Sequence, residues 1–260
     1  MRYPELGNIV EGEKVVAQYE AMLEGLDRAG IGGFLIDIDD TILDTQTVFM
    51  GIVTDTVKNI SERLGLSYDL VWKIFQRENM AAYHSHHVRP DRWKGVIRGV
   101  TKEFKCGGMI DDQVDNLMRI YKTTAEWIPG ARELLWAARE VGGLKVAAVT
   151  NANEAWTLQK VKLTGVEDYI DELVIVDQNR HKCWLDWQLA AHKLGLNVSS
   201  LVGIGDSVRS DIEPMLEAQL GVVIALPSPV PHFRGVFPPG VIVAENIAAV
   251  PTVLAAYDPS

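Results

Sequence analysis

Leu144 to Val149, Leu173 to Val176, Leu201 to Ile204 and Val222 to Leu226 are short apolar runs with no polar alternation, and Phe34-Leu35-Ile36 is another. A strand that exposes one face alternates apolar with polar residues, whereas a strand covered on both faces does not. Between the later runs lie segments with apolar residues at helical spacing: Ala131 to Glu140, Glu154 to Leu163, Trp184 to Leu194 and Ile212 to Gln219. Val241 to Val243 and Ile247 to Ala256 add a last short strand and helix. Parallel strands need crossover connections of about a dozen residues, which these helices supply. The pattern predicts an α/β fold whose parallel sheet is covered by helices on both faces.

From Thr45 to about Tyr121 the chain has no strand pattern. Val48 to Leu64, Tyr68 to Met80, Arg92 to Glu103 and Asp111 to Tyr121 read as helices, separated by Gly65, by the Tyr83–Pro90 stretch and by Cys106–Gly108. The expected organisation is a core domain made of residues 1–44 and 126–260, with a helical domain, 45–125, inserted after the first strand. Upstream, Val15 to Arg28 reads as an amphipathic helix with Val15, Val16, Tyr19, Met22, Leu23 and Leu26 on one side. Gly30, Gly32 and Gly33 end it. They precede a strand, the wrong order for a dinucleotide fingerprint, and read as a turn.

Composition narrows the class of partner. Among 260 residues, 35 acidic and 25 basic side chains give a formal charge of −10. That surface disfavours nucleic acid and anionic membranes, but a local lysine or metal can still hold a small phosphorylated ligand. Cys106 and Cys183 are the only cysteines, too few for a disulfide framework or a cysteine-built zinc site. The N-terminal stretch lacks the apolar run of a signal peptide, and no segment approaches eighteen apolar residues. A cytoplasmic enzyme or binding protein is the expectation.

Ligands of open α/β sheets collect at the carboxyl ends of the strands. The first strand runs into Asp37-Ile38-Asp39-Asp40-Thr41, and the second ends in Thr150-Asn151. Asp177, His181 and Lys182 follow the third. The fourth runs into Gly205-Asp206-Ser207, with Asp211 four residues beyond Ser207. Carboxylates, a hydroxyl and a lysine at four strand ends form a set that can hold a hard divalent cation and a phosphate.

Asp37-x-Asp39-x-Thr41, Thr150, Lys182 and Gly205-Asp206-Ser207-x-x-x-Asp211 resemble, in order, the four motifs of the haloacid dehalogenase (HAD) superfamily. The insertion after the first motif resembles the helical C1-type cap of its phosphoglycolate phosphatase and β-phosphoglucomutase-like branch. The resemblance implies a Rossmann-like parallel sheet core with helices on both faces, plus a helical cap domain. It also implies roles. Asp37 is similar to the nucleophile that becomes an aspartyl-phosphate, and Asp39 to the acid that protonates the leaving oxygen and then activates water. Thr150 and the Asn151 backbone N–H resemble the phosphoryl-binding groups, and Lys182 the lysine that pins nucleophile and phosphate. Here Lys182 is followed by Cys183 where the family commonly has proline. Lys160 and Lys162 are weaker substitutes for it. The implied magnesium ligands are Asp37, Asp206, Asp211 and Asp39, the last through its backbone carbonyl.

These expectations describe a magnesium-dependent phosphatase acting on a small phosphorylated metabolite. A phosphomutase of the same superfamily is the alternative reaction, and a catalytically silent binding protein on the same fold the alternative class. A dehalogenase fits less well, because a halide leaving group needs no acid. His84, His86 and His87 read as surface or substrate-facing residues, and Trp184 and Trp187 as core. In the inserted segment, Arg89, Arg92 and Lys94 are the cations available to face an anionic substrate.

Overall fold

The computed structural model describes residues 9–86, 88–229 and 235–258, without the side chains of 9–15 and 86. Six strands form one wholly parallel sheet: β1 (Gly33–Ile36), β4 (Lys145–Asn151), β5 (Glu172–Val176), β6 (Leu201–Gly205), β7 (Val222–Ala225) and β8 (Ile242–Val243). Their spatial order is β5-β4-β1-β6-β7-β8. The connections leaving β1 and β4 run towards one edge, and those leaving β6 and β7 run towards the other. The direction therefore reverses between β1 and β6, which opens a crevice at their carboxyl ends.

Both faces of the four central strands are dry, as their apolar runs require, while the edge strands β5 and β8 are partly exposed. On one face Phe34, Ile36, Val146, Ala148, Val202 and Ile204 pack against α1 (Ile9–Arg28), α6 (Ala131–Trp136), α7 (Glu154–Thr164) and α10 (Val250–Ala255). On the other, Leu35, Ala147, Val149 and Val223 meet α8 (Trp184–Leu194) and α9 (Glu213–Glu217), with Trp187 fully buried. Neighbouring residues of one strand thus serve opposite layers. The amphipathic N-terminal helix completes the first layer through Met22 and Leu26. It lies so close to α10 that a Cβ at Gly25 would stand 2.5 Å from the Leu254 carbonyl oxygen. None of the described helices is long and apolar enough to cross a membrane.

The inserted segment forms α2 (Thr45–Leu64), α3 (Tyr68–His86), α4 (Arg92–Phe104), α5 (Gln113–Leu117) and a 3-10 turn at Met118–Tyr121. These helices enclose a core of their own around Val57, Ile60, Phe75, Trp93, Val96 and Leu117. Fully burying one such aromatic or aliphatic side chain contributes roughly 1.5–3 kcal/mol, so the unit is internally stabilised. Its two chain crossings are joined by an antiparallel pair, β2 (Leu43–Asp44) with β3 (Glu126–Trp127).

Several boundaries differ from expectation. The α3 helix continues past Met80 to His86, taking in Tyr83, because Ala82 packs into the helical core. The expected Asp111–Tyr121 helix is a five-residue α-helix followed by the 3-10 turn. Elsewhere π-type turns close α6 (Ala137–Val141) and open α9 (Val208–Ile212).

Candidate active site

Beyond β1 the backbone turns tightly. The N–H groups of Ile42 and Leu43 both donate to the Ile38 carbonyl at 3.0 Å, and Asp40 adopts a left-handed φ of 60°. Aspartate tolerates that conformation, and its carboxylate accepts from the Gln46 N–H (2.7 Å) and the Thr45 hydroxyl (2.9 Å). Burial, with Asp39 adding repulsion, still pushes the Asp40 carboxyl up to about 6. The turn also gives Asp37 and Asp39 separate surroundings.

Asp37 is buried beside β6, where its N–H donates to the Ile204 carbonyl at 3.0 Å. Lys182 Nζ donates to one carboxylate oxygen of Asp37, and Thr41 Oγ1 lies 3.5 Å from the other. The same ammonium lies 2.5 Å from Asp211 and donates to the Val149 carbonyl at 3.2 Å. The start of α8 fixes this lysine in place. The Cys183 N–H donates to Asp186 (2.8 Å), and Arg180 holds both Asp186 oxygens at 2.6 and 2.5 Å. With Cys183 rather than a proline after Lys182, that clamp holds the start of the helix.

Asp206 leaves the end of β6 and accepts a 2.5 Å hydrogen bond from Ser228 Oγ. Asp211 accepts from the Ser207 N–H at 2.9 Å. Glycine is needed at 205 because a Cβ there would stand 2.5 Å from the Cβ of Asp211. Asp37, Asp206 and Asp211 each direct an oxygen into one cluster, with those atoms within 4.8 Å of one another. Burial, reinforced by Asp211, pushes the Asp206 carboxyl up to about 7. Burial raises Asp37 well above the carboxylate range too; Lys182 opposes that rise, while Asp211, Asp206 and Asp39 add to it. Burial alone would lower Lys182, but Asp211 and Asp37 reverse the sign and hold it protonated. Three buried carboxylates against one ammonium leave negative charge over. A hard, oxygen-seeking divalent cation fits that donor set.

Asp39 faces the other way. One oxygen pairs with Lys160 Nζ and the other accepts from Thr150 Oγ1 at 3.3 Å. Of the four aspartates expected around a metal, three therefore cluster through their carboxylates, while the side chain of Asp39 stands apart. Asn151 uses its side-chain amide to tie β4 to the loop before Lys182, donating to the carbonyls of Asp177 (3.0 Å) and Arg180 (2.9 Å).

A cavity of about 650 Å³ separates this floor from the helical unit. Its walls include Phe49, Trp72, Tyr83, Arg92 and Tyr121 from the helices, and Trp156 and His181 from the core. Arg92 is only 8 % exposed. Its guanidinium lies 4.4 Å from the Trp93 ring and 5.8 Å from those of Phe49 and Tyr83, and burial lowers its pKa. Arg89 instead pairs with Asp91 at 2.6 Å on the surface, and Lys94 is exposed. His84 is exposed beside Tyr83. The side chain of His86 and all of His87 lie outside the described residues.

Two site residues were hidden or undervalued in the sequence. Ser228 lies just past β7, where the strand-end search would have reached it had that strand been included. Lys160 ranked only as a substitute for Lys182, yet it is 3 % exposed and paired with Asp39.

Comparison with known proteins agrees with this architecture. Among curated proteins no sequence match is found. A HAD phosphatase structure from Thermococcus onnurineus superposes with a TM-score of 0.59 at 22 % identity, covering 86 % of this chain and 98 % of that one. A Bacillus subtilis structure described as a HAD-hydrolase bound to magnesium gives 0.65 at 14 % identity, covering 86 % and 98 %. L-2-haloacid dehalogenase from Xanthobacter autotrophicus gives 0.58 at 14 %, covering 88 % and 100 %. At these identities the structures establish a shared fold and leave the reaction open. The sequence model of the haloacid dehalogenase-like hydrolases matches residues 31–219, from the turn before β1 to just past α9. By that match, the chain belongs to the haloacid dehalogenase-like hydrolase family.

Proposed function

We propose that this protein is a magnesium-dependent phosphomonoesterase for a small phosphorylated metabolite, with residues 45–125 acting as a cap over the catalytic floor. The observation that carries the reading is the division of the aspartates. Asp37 sits with Asp206, Asp211 and Lys182 in one cationic-and-acidic cluster, while Asp39 stands separately beside Thr150 at the same cavity. A nucleophile and an acid need that separation. A dehalogenase, whose halide departs without a proton, has no use for Asp39 or for the acidic pair Asp206 and Asp211.

In the proposed reaction an Asp37 oxygen attacks phosphorus as the bond from phosphorus to the ester oxygen breaks. The leaving oxygen takes a proton from Asp39. Asp39 then accepts a proton from water, whose oxygen attacks the aspartyl-phosphate and releases phosphate and free Asp37. Lys182 holds Asp37 in line and offsets phosphoryl charge, while the Thr150 hydroxyl takes a phosphoryl oxygen. Magnesium held by Asp37, Asp206, Asp211 and the Asp39 backbone carbonyl would supply further charge neutralisation. Excluding water from the floor is the task of the cap.

Heavy-oxygen water distinguishes hydrolysis from transfer to a sugar. A hydrolase places one labelled oxygen in each phosphate released. Interconversion of two sugar phosphates faster than phosphate release would replace the phosphatase with a phosphomutase, and no turnover of any phosphate ester would leave a binding protein.

Arg92 carries a second expectation. A buried guanidinium in the cavity wall can give a charge-assisted hydrogen bond to a substrate, worth about 1.5–3 kcal/mol. Arg92→Met keeps an unbranched apolar stem but removes the guanidinium and its charge. For whichever ester the wild type prefers in a metabolite panel, KM should rise about ten- to hundredfold while kcat stays within a few-fold. An unchanged KM would assign Arg92 to packing alone.

A further inference from the structure

The proposed reaction gives Asp39 a proton to deliver but leaves open what aims its carboxyl. Both of its oxygens are engaged, one by Lys160 and the other by the Thr150 hydroxyl at 3.3 Å. Those two anchors differ in kind. Thr150 is the group expected to turn to the phosphoryl when substrate binds, and that releases one oxygen of Asp39. Lys160 lies outside the cavity lining, 3 % exposed, and cannot follow the substrate. The carboxyl would then hang from a single fixed point, with its released oxygen directed into the cavity.

Lys160 is itself held from behind. Its ammonium lies 4.3 Å from the centre of the Trp156 ring, a distance at which the ring face attracts a cation. Trp156 in turn packs edge-on against Tyr121, with ring centroids 5.3 Å apart and planes at 89°. Tyr121 belongs to the helical unit, and its hydroxyl accepts a 3.2 Å hydrogen bond from Trp93 in that unit's core. A continuous set of contacts therefore runs from the helical unit through Tyr121, Trp156 and Lys160 to Asp39.

We infer that Lys160 is the positioning residue for the Asp39 carboxyl, and that Trp156 and Tyr121 make its placement depend on the docking of the helical unit. The inference rests on the phosphatase reading and extends it to how the acid is aimed. Lys160 touches neither phosphorus nor the leaving group. Its influence falls on both steps that use Asp39, and of these only the departure of the leaving group differs from one ester to another.

Leaving groups separate this role from simple support of the fold. p-Nitrophenolate departs with little help from an acid, whereas an alkoxide needs the proton. The wild-type chain, Lys160→Met, Tyr121→Ala and Tyr121→Phe are compared on p-nitrophenyl phosphate and on the alkyl phosphate that the wild type hydrolyses best in a metabolite panel, with magnesium present. Lys160→Met should lower kcat/KM, which reports the steps up to departure of the leaving group, on the alkyl ester at least about tenfold more than on the aryl ester, within the 10²–10⁴ that a general acid contributes. Tyr121→Ala should show the same selective loss to a smaller degree. Tyr121→Phe, which keeps the ring, should recover most of the alkyl-ester rate. Equal losses of kcat/KM on both esters for Lys160→Met overturn the positioning role. A Tyr121→Phe protein as impaired as Tyr121→Ala overturns the link to the helical unit. If Lys160→Met does not fold, the tyrosine pair decides: a loss in Tyr121→Ala that is equal on both esters overturns the proposal. A wild type that hydrolyses no ester of the panel refutes the phosphatase reading instead.

Discussion

Asp37→Asn should lower turnover by at least about four orders of magnitude and leave the fold intact. A carboxylate that attacks phosphorus cannot be replaced by an amide, and removing a covalent nucleophile forfeits most of the rate enhancement. The fold should tolerate the change because the amide is nearly isosteric with the carboxylate. Lys182 keeps Asp211 at 2.5 Å and the Val149 carbonyl at 3.2 Å. Burial already raises the Asp37 carboxyl far above its usual range, so its charge costs stability in the metal-free protein. The melting temperature in chelator should therefore stay level or rise. Single-turnover assays with radiolabelled ester should find no phosphate on the variant protein, and a transient covalent adduct on wild type. Residual turnover above about 1 % in a folded Asp37→Asn protein would remove Asp37 as the nucleophile.

What the sequence disclosed follows from how each feature is encoded. The sheet was legible because its strands are buried on both faces and so appear as unbroken apolar runs. The floor of the site was legible because Asp37, Thr150 and Asp206 stand at the ends of those runs. The β2–β3 pair was not, since two residues a side carry no periodicity; only the return of the chain through Trp127 creates it. The end of α3 was missed for a related reason. Polar residues follow Met80, and what extends the helix is the burial of Ala82 in a core supplied by other helices. Lys160 was obscured by its position in the interior of α7, where a lysine is ordinarily solvated. The partner that draws it inward lies 121 residues away in sequence. Motifs report groups placed by local backbone, whereas groups recruited across the fold by charge leave no local trace.

The acidic cluster predicts a coupled loss of activity and gain of stability. Chelation should stop turnover, magnesium should restore it, and Asp206→Asn should abolish the rescue, because an amide cannot replace a buried carboxylate ligand of a hard cation. The pH dependence follows from the Asp206 carboxyl, which stands at about 7 in the metal-free fold against an ordinary 3.8. Metal binding requires the ionised form. Below pH 7 protons compete at Asp206, and the raised Asp37 carboxyl adds to the competition, so the apparent magnesium affinity should fall by about tenfold per unit or more. Stability moves in the opposite sense. A carboxyl with a raised folded-state pKa binds its proton more tightly in the folded than in the unfolded chain. Its contribution is thus most favourable below about pH 4, is lost as pH rises towards 7, and leaves a full penalty above. In chelator at pH 8, Asp206→Asn removes that penalty and should stabilise the protein by roughly 1–3 kcal/mol, while the amide oxygen can still accept from Ser228. Magnesium should then raise the melting temperature of wild type and leave that of the variant almost unmoved. A variant less stable than wild type in chelator would contradict the electrostatic account, and turnover that persists in excess chelator would contradict the metal.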